Sequence, residues 1–255
     1  MYRWTDDGYL RVAAVSRSDE VQVADSWLVD DGLVVGLRAH HARFLGSVEH
    51  AAPLHAHRAE RAWDALIDAL PRTGAHFPRI ELRGDELLFH QRLAPARASR
   101  VVLATHQGAD PRTHPTVKGP ATDALARARQ EAALRGADEA IIVGEQGIIE
   151  GAYSGVLWWE GNTLVCPDEG FLRVPSITAA TVLSIATGLG VPLAQSRAHP
   201  EQLAGREVWT VSALHGIRVA TAWVDGPELA AEPGRAARWS RMLERLRAPL
   251  PAGAQ

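Results

Sequence analysis

The amino-acid sequence predicts a mixed α/β (α+β) protein in two parts, and three observations carry that reading. Short strand-like runs joined by Gly/Asp turns recur along most of the chain, as in Ile80-Glu81-Leu82-Arg83, then Gly84-Asp85, then Glu86-Leu87-Leu88-Phe89-His90. Helical stretches stand among them, the clearest over 58–70, where Trp63, Leu66, Ile67 and Leu70 share one face and Pro71 ends the run. Residues 107–115 carry Gly, Asp and two prolines without periodicity, which reads as a link between two domains. The boundaries expected from this are a first α/β domain over 1–108, a linker over 109–117 and a second domain over 118–255.

The other elements follow in order. Residues 9–15 and 21–29 read as strands, and Asp30-Asp31-Gly32 turns the chain back into Leu33-Val34-Val35 as a hairpin. Over 39–48 the period becomes helical, with His40, Arg43, Phe44 and Ser47 on one face. Val101-Val102-Leu103-Ala104 is a short buried strand. A helix over 121–134 ends at Gly136, and strands at 139–143 and 148–150 flank the turn 144–147. Strands at 156–160 and 163–166 form a hairpin around Gly161-Asn162. A helix over 177–189 follows Pro175-Ser176, and strands at 208–211 and 217–224 come after it. The tail 235–247 places Trp239, Met242, Leu243 and Leu246 on one helical face, as for a terminal helix docked on the body.

Composition narrows the function. With 255 residues, 46% hydrophobic and 22% charged, the chain has ordinary globular composition and room for a sizeable core. A net charge of -3 gives no global positive field, so no nucleic-acid partner is expected. The single cysteine, Cys166, excludes an internal disulfide and suits a reducing cytoplasm. No apolar run reaches transmembrane length and the N-terminus does not read as a signal peptide, so no membrane partner is expected either.

Lys118, in Val117-Lys118-Gly119-Pro120, is the only lysine; the other 26 of the 27 basic residues are arginines. Arginine stays protonated near neutral pH and forms no Schiff base, whereas a desolvated lysine does. The residue therefore reads as a catalytic lysine holding an aldehyde cofactor, against the plainer reading of a surface lysine in an arginine-biased chain.

The segment from Lys118 to Gly226 resembles the class IV aminotransferase family, the fold-type-IV pyridoxal-phosphate enzymes that include branched-chain and D-amino-acid aminotransferases and 4-amino-4-deoxychorismate lyases. Arg129-Gln130-Glu131-Ala132 follows the lysine, and Gly136-Ala137-Asp138-Glu139-Ala140-Ile141-Ile142 is similar to the family's G-x-D-E-A run. Gly147-Ile148-Ile149-Glu150-Gly151-Ala152-Tyr153-Ser154-Gly155 resembles its glutamate block, Val174-Pro175-Ser176-Ile177-Thr178 its L-x-G-I-T block, and His40-His41-Ala42-Arg43-Phe44 its H-x-x-R-L block. The resemblance implies two domains with pyridoxal 5'-phosphate in the cleft between them. By the same resemblance Lys118 forms the Schiff base, Glu150 faces the pyridine nitrogen and Arg43 holds the phosphate. Ile177 and Thr178 add backbone N–H groups at a helix start, and Ser212-Ala213-Leu214 supplies a second turn on the phosphate side. A homodimer is implied as well. Without the family match, Arg43 reads as a helix-surface arginine and Glu150 as a strand-end carboxylate.

Three departures bear on activity. Ser176-Ile177-Thr178-Ala179 stands where the family has G-I-T-R, Asp123 where many members carry a tyrosine, and 20–26 where the G-D-G-x-F-E-T block is expected. The expected reaction is transamination of an amino acid or related amine, with Arg92, Arg97 and Arg218 as candidates for binding the substrate carboxylate. The alternative is an aminodeoxychorismate lyase. Ser212-Ala213-Leu214 resembles the lyases' N-A-L, and Ser26 aligns with a threonine hydroxyl that in the lyases assists proton transfer. Two further readings are a non-catalytic binding protein on the same fold and a metal enzyme built on His40-His41, His50, His55 and His57. The second has no HExxH motif or cysteine cluster behind it.

Overall fold

The computed structural model describes residues 1–5, 7–12, 20–230 and 234–252. The first third of the chain forms β1 (Tyr2–Thr5), β2 (Gly8–Arg11), β3 (Val21–Ser26), β4 (Val29–Asp30), β5 (Leu33–Val34), α1 (Leu37–Ala51), α2 (Ala56–Ala69), β6 (Ala75–His76), β7 (Arg79–Arg83) and β8 (Glu86–His90). Then come β9 (Arg100–Thr105), α3 (Thr122–Leu134), β10 (Glu139–Gly144), β11 (Gly147–Gly151), β12 (Gly155–Glu160) and β13 (Thr163–Pro167). The last third holds α4 (Ile177–Gly188), β14 (Leu193–Ser196), β15 (Val208–Ser212), β16 (Gly216–Val224), α5 (Arg235–Glu244) and β17 (Ala248–Pro249). The strand expected at 9–15 is present as β2, and its last residues, 13–15, lie outside the described residues.

Contacts gather the chain into two compact units. One contains 1–96, 117–122 and 246–255; the other contains 97–116 and 123–245. The second therefore takes β9, an interior strand of its sheet, together with most of the stretch read from sequence as a linker, while the short segment bearing Lys118 belongs to the first.

The first unit has a five-stranded sheet in the order β2-β1-β8-β7-β3 and a four-stranded one in the order β17-β5-β4-β6. The hairpin between β4 and β5 forms because Asp31 (φ 49) and Gly32 (φ 74) both accept positive φ, as a two-residue turn of matching twist requires. In α2 the buried residues are Ala59, Ala62, Trp63, Leu66 and Ile67, the periodic face read from the sequence. α1 buries His40, Phe44 and Val48; Val48 takes the place expected of Ser47, and Arg43 turns toward β3 instead. Antiparallel register sets Asp25 opposite Ile80 and Ser26 opposite Arg79. Asp25 thus shares the face of Ile80, which packs into the core, and Ser26 shares the opposite face with Arg79 and His90. β3 is an edge strand, and its outer side is occupied: the Ala24 N–H donates to the Lys118 carbonyl at 2.6 Å.

The second unit is built on an eight-stranded mixed sheet in the order β11-β10-β9-β16-β15-β12-β13-β14. Parallel pairing of β16 and β10 with β9, and antiparallel pairing elsewhere around them, bring to one end several termini that matter for the site. These are the end of β11, the starts of β12 and β16, the end of β15 and the start of β10. The start of α4 lies at the same end, with Ser176 against Gly155. α5 buries Ala236, Trp239 and Leu243, and Trp239 meets Trp159 and Trp209 edge-on at 5.4 and 5.7 Å. Leu246, expected on that face, lies beyond the helix and is exposed.

Candidate active site

In the first unit the site begins with Lys118. Its segment lies along the edge of β3 because Gly119 adopts φ +137, a conformation that suits glycine. A Cβ there would stand 2.8 Å from the Ala24 nitrogen and 2.9 Å from the Val23 carbonyl carbon. Beside the lysine is a buried ionic cluster. Asp25, fully buried, accepts from Arg43 Nε on Oδ2 (2.8 Å), from Arg43 Nη2 on Oδ1 (2.7 Å) and from the Ser26 backbone N–H on Oδ1 (2.7 Å). His40 Nδ1 also sits 2.8 Å from Asp25 Oδ1. Burial alone would raise the Asp25 pKa, but His40 and Arg43 outweigh it and hold it at about 2. Burial lowers the pKa of His40; Asp25 opposes that, and the Arg43 and Lys118 charges add to it. At neutral pH the cluster is a carboxylate, a guanidinium and a neutral imidazole, next to the lysine.

In the second unit Glu150, on β11, is buried. Arg112 Nη1 donates to its Oε1. Arg112 is itself buried and forks onto Asp110, through Nε to Oδ1 at 2.8 Å and Nη2 to Oδ2 at 2.6 Å. The arginine is thus gripped by two carboxylates; burial disfavours its charge, yet Asp110 and Glu150 raise its pKa overall. At the same end of the sheet, Ser176 caps α4 by accepting from the Ala179 N–H at 3.2 Å. That cap takes the third residue's N–H; those of Ile177 and Thr178 lie outside it, and the Thr178 side chain is buried. Ser212-Ala213-Leu214 forms the turn from β15 into β16, closed by the His215 N–H on Ser212 Oγ at 3.3 Å. A buried ion pair underlies it: Arg218 Nη2 and Ser154 Oγ both donate to Glu139 Oε2 at 3.0 Å.

Lys118, Arg43 and Ser26 therefore gather in the first unit, and Glu150, Ile177, Thr178 and the 212–214 turn in the second. Ser26 projects on the face opposite Asp25 and Arg43. Sequence reasoning missed Asp25, Asp110 and Arg112. Asp25 had a faint signal as a carboxylate one residue before Ser26; Arg112 sat in a stretch that looked like punctuation. The three arginines named for a substrate carboxylate are engaged: Arg97 with Glu244 at 2.5 Å, Arg218 with Glu139, and Arg92 with the Phe77 carbonyl at 3.1 Å.

Comparison with known proteins gives this arrangement a family. The sequence profile of the family described as amino-transferase class IV matches residues 22–223, most of the chain. The chain belongs to the class IV aminotransferase family. No curated protein sequence matches it. Among solved structures, the branched-chain aminotransferase of the archaeon Thermoproteus uzoniensis with norvaline is similar at TM-score 0.78 and 19% identity, over 98% of this chain and 99% of that one. A Thermotoga maritima protein assigned as a branched-chain amino acid aminotransferase is similar at TM-score 0.74 and 16% identity, over 96% of this chain and 95% of that one. A Legionella pneumophila protein assigned as a 4-amino-4-deoxychorismate lyase is similar at TM-score 0.74 and 15% identity, over 92% and 96%. At these identities the likeness speaks for the fold, which is that of the fold-type-IV enzymes.

As a class IV aminotransferase the chain is an enzyme whose cofactor is pyridoxal 5'-phosphate. Its residues fit that group chemically. They include one amine, a buried carboxylate suited to a protonated pyridine nitrogen, and two helix-start N–H groups outside the Ser176 cap, suited to a phosphate. No helix among the described residues is long and apolar enough to cross a membrane.

Proposed function

We propose that this enzyme transfers an amino group from an amino acid or related amine, and that Lys118 and Glu150 serve the same bound pyridoxal phosphate. The observation that carries the reading is the anchoring of the chain's only lysine at the edge of β3, beside the Asp25–His40–Arg43 cluster. Bound pyridoxal phosphate supplies a sink for the electrons left on carbon when a proton departs. The protein's own residues do the rest. The Lys118 amine, once free, would take that proton on Nζ and deliver it to the cofactor carbon on the far side of the nitrogen. Glu150 presents negative charge to the ring nitrogen. Arg43, the Ile177 and Thr178 N–H groups and the Ser212-Ala213-Leu214 turn would hold the phosphate. Asp25 fixes the tilt of the Arg43 fork, so the arginine is held ready rather than recruited. The resemblance further supports a homodimer, and the single cysteine supports a cytoplasmic location.

The lyase reading stays second, favoured by the Ser212-Ala213-Leu214 turn and by the hydroxyl of Ser26. One experiment tests both. Protein incubated with pyridoxal phosphate and reduced with borohydride should carry a pyridoxyl mark on the Lys118 peptide, and Lys118→Ala should carry none. Amino transfer to a keto acid then supports the aminotransferase; release of pyruvate and 4-aminobenzoate from aminodeoxychorismate supports the lyase. An unmarked Lys118 would end both readings in favour of a non-catalytic binding protein.

A further inference from the structure

We infer that Asp110 and Arg112 are a positioning pair that aims Glu150 while leaving the three side chains together one net negative charge. The inference rests on the reading of Glu150 as the group facing the pyridine nitrogen.

A lone guanidinium on Glu150 would orient the carboxylate and also cancel its charge, removing what a protonated ring nitrogen needs. The structure avoids this with a second carboxylate. Arg112 spends Nε and Nη2 on Asp110 and Nη1 on Glu150, so two anions share one cation. The Asp110 backbone turn tightens the grip, because Oδ1 also accepts from the Arg112 N–H at 3.0 Å. Arg112, between the two carboxylates, is the most buried of the three side chains at 2% exposure, against 10% for Glu150 and 33% for Asp110. Burial would favour a protonated Asp110, but Arg112, helped by His106, lowers its pKa, so it stays charged in the neutral range. The fork geometry also makes the arginine specific. A lysine would keep the charge but lose the two parallel bonds that set the direction of the third.

The test uses the enzyme loaded with 15N-labelled pyridoxal phosphate, with two readouts: the 15N shift of the ring nitrogen at one neutral pH, and the affinity for the cofactor by titration. Asp110→Asn keeps the shape of a partly exposed residue and leaves the triad neutral. It should move the 15N signal toward the unprotonated position and weaken binding roughly tenfold. Arg112→Lys retains the net charge and should leave the ring protonated while weakening binding less. Glu150→Gln should shift both readouts at least as far as Asp110→Asn. Asp110→Asn behaving as the parent, while Glu150→Gln shifts both, would overturn the positioning pair and leave the role of Glu150 standing. Glu150→Gln also behaving as the parent would remove that role, and the inference with it.

Discussion

At the scale of single residues, Gly119 governs where the lysine stands. The Lys118 carbonyl takes the Ala24 N–H at 2.6 Å, so the next residue must pass β3 with no room for a side chain. Gly119→Ala meets both a backbone clash at 2.8 Å and a φ of +137 that alanine avoids. It should cost at least about 2 kcal/mol in urea unfolding and sharply reduce borohydride marking of Lys118. Parental stability in that variant would mean the segment does not lie against β3. How much of this was readable in advance differs by residue. Lys118 announces itself by being the only lysine, and Glu150 and Arg43 by the blocks around them. Asp25 and Arg112 do not, because their roles lie in partners distant in sequence: Asp25 meets residues 15 and 18 positions on, and Arg112 meets one 38 positions on. A carboxylate in an altered block and an arginine between prolines carry no periodicity to betray that.

At the scale of elements, the start of α4 shows a local exchange. The family's glycine is Ser176 here, and the Ser176 hydroxyl caps the helix on Ala179. Facing it is Gly155, where a Cβ would lie 3.3 Å from Ser176 Oγ and 3.3 Å from Val211 Cγ2. The serine has room because the residue opposite is small. Ser176→Ala should lower stability by about 1 kcal/mol, and Ser176→Gly by only a few tenths, read as shifts in the thermal midpoint. An unchanged midpoint in Ser176→Ala would show that the hydroxyl contributes nothing to the helix start. Elements with a strong period or a turn signature were legible: α2 by its apolar face, the β7–β8 and β12–β13 hairpins by Gly84-Asp85 and Gly161-Asn162. The two-residue strands β6 and β17 were not, since a strand that short has no alternation; pairing with β4 and β5 defines them. The grouping into compact units follows strand pairing, which local sequence signals do not carry. The Pro-rich run before Lys118 looks like a boundary, yet β9 ahead of it pairs with β10 and β16, which draws 97–116 into the second unit.

At the scale of the whole molecule, buried titratable groups make stability depend on pH in two windows. Burial first, then the Arg218, Arg129 and Arg97 charges, push His215 in the second unit down to about 4. His40 in the first unit is lowered for kindred reasons. A histidine whose folded pKa lies below its unfolded value near 6.5 contributes fully above that value, and the contribution is lost as pH falls through the folded pKa. Asp25 and Glu81, both in the first unit, are held at about 2; burial opposes this, but His40 and Arg43 in one case and His90 and Arg79 in the other outweigh it. Their contribution is complete above roughly pH 4 and disappears as pH falls toward about 2; for Asp25 it is on the order of 2 kcal/mol. Stability measured by urea unfolding should therefore fall first between about pH 6.5 and 4, through the histidines, and again below about 4, through the carboxylates. His215→Asn keeps an acceptor for the Ala98 N–H, which reaches His215 Nδ1 at 3.1 Å, and removes the titration. It should flatten the first window in part and leave the second untouched. Asp25→Asn should flatten the second window in part and, because the Asp25 charge raises the His40 pKa, deepen the first, with the change reported by the buried Trp27 and Trp63 of its own unit. Stability that rises as pH drops from 6.5 to 4 would mean the histidines gain protons on folding, and the placement of buried His40 and half-buried His215 as neutral groups would fall.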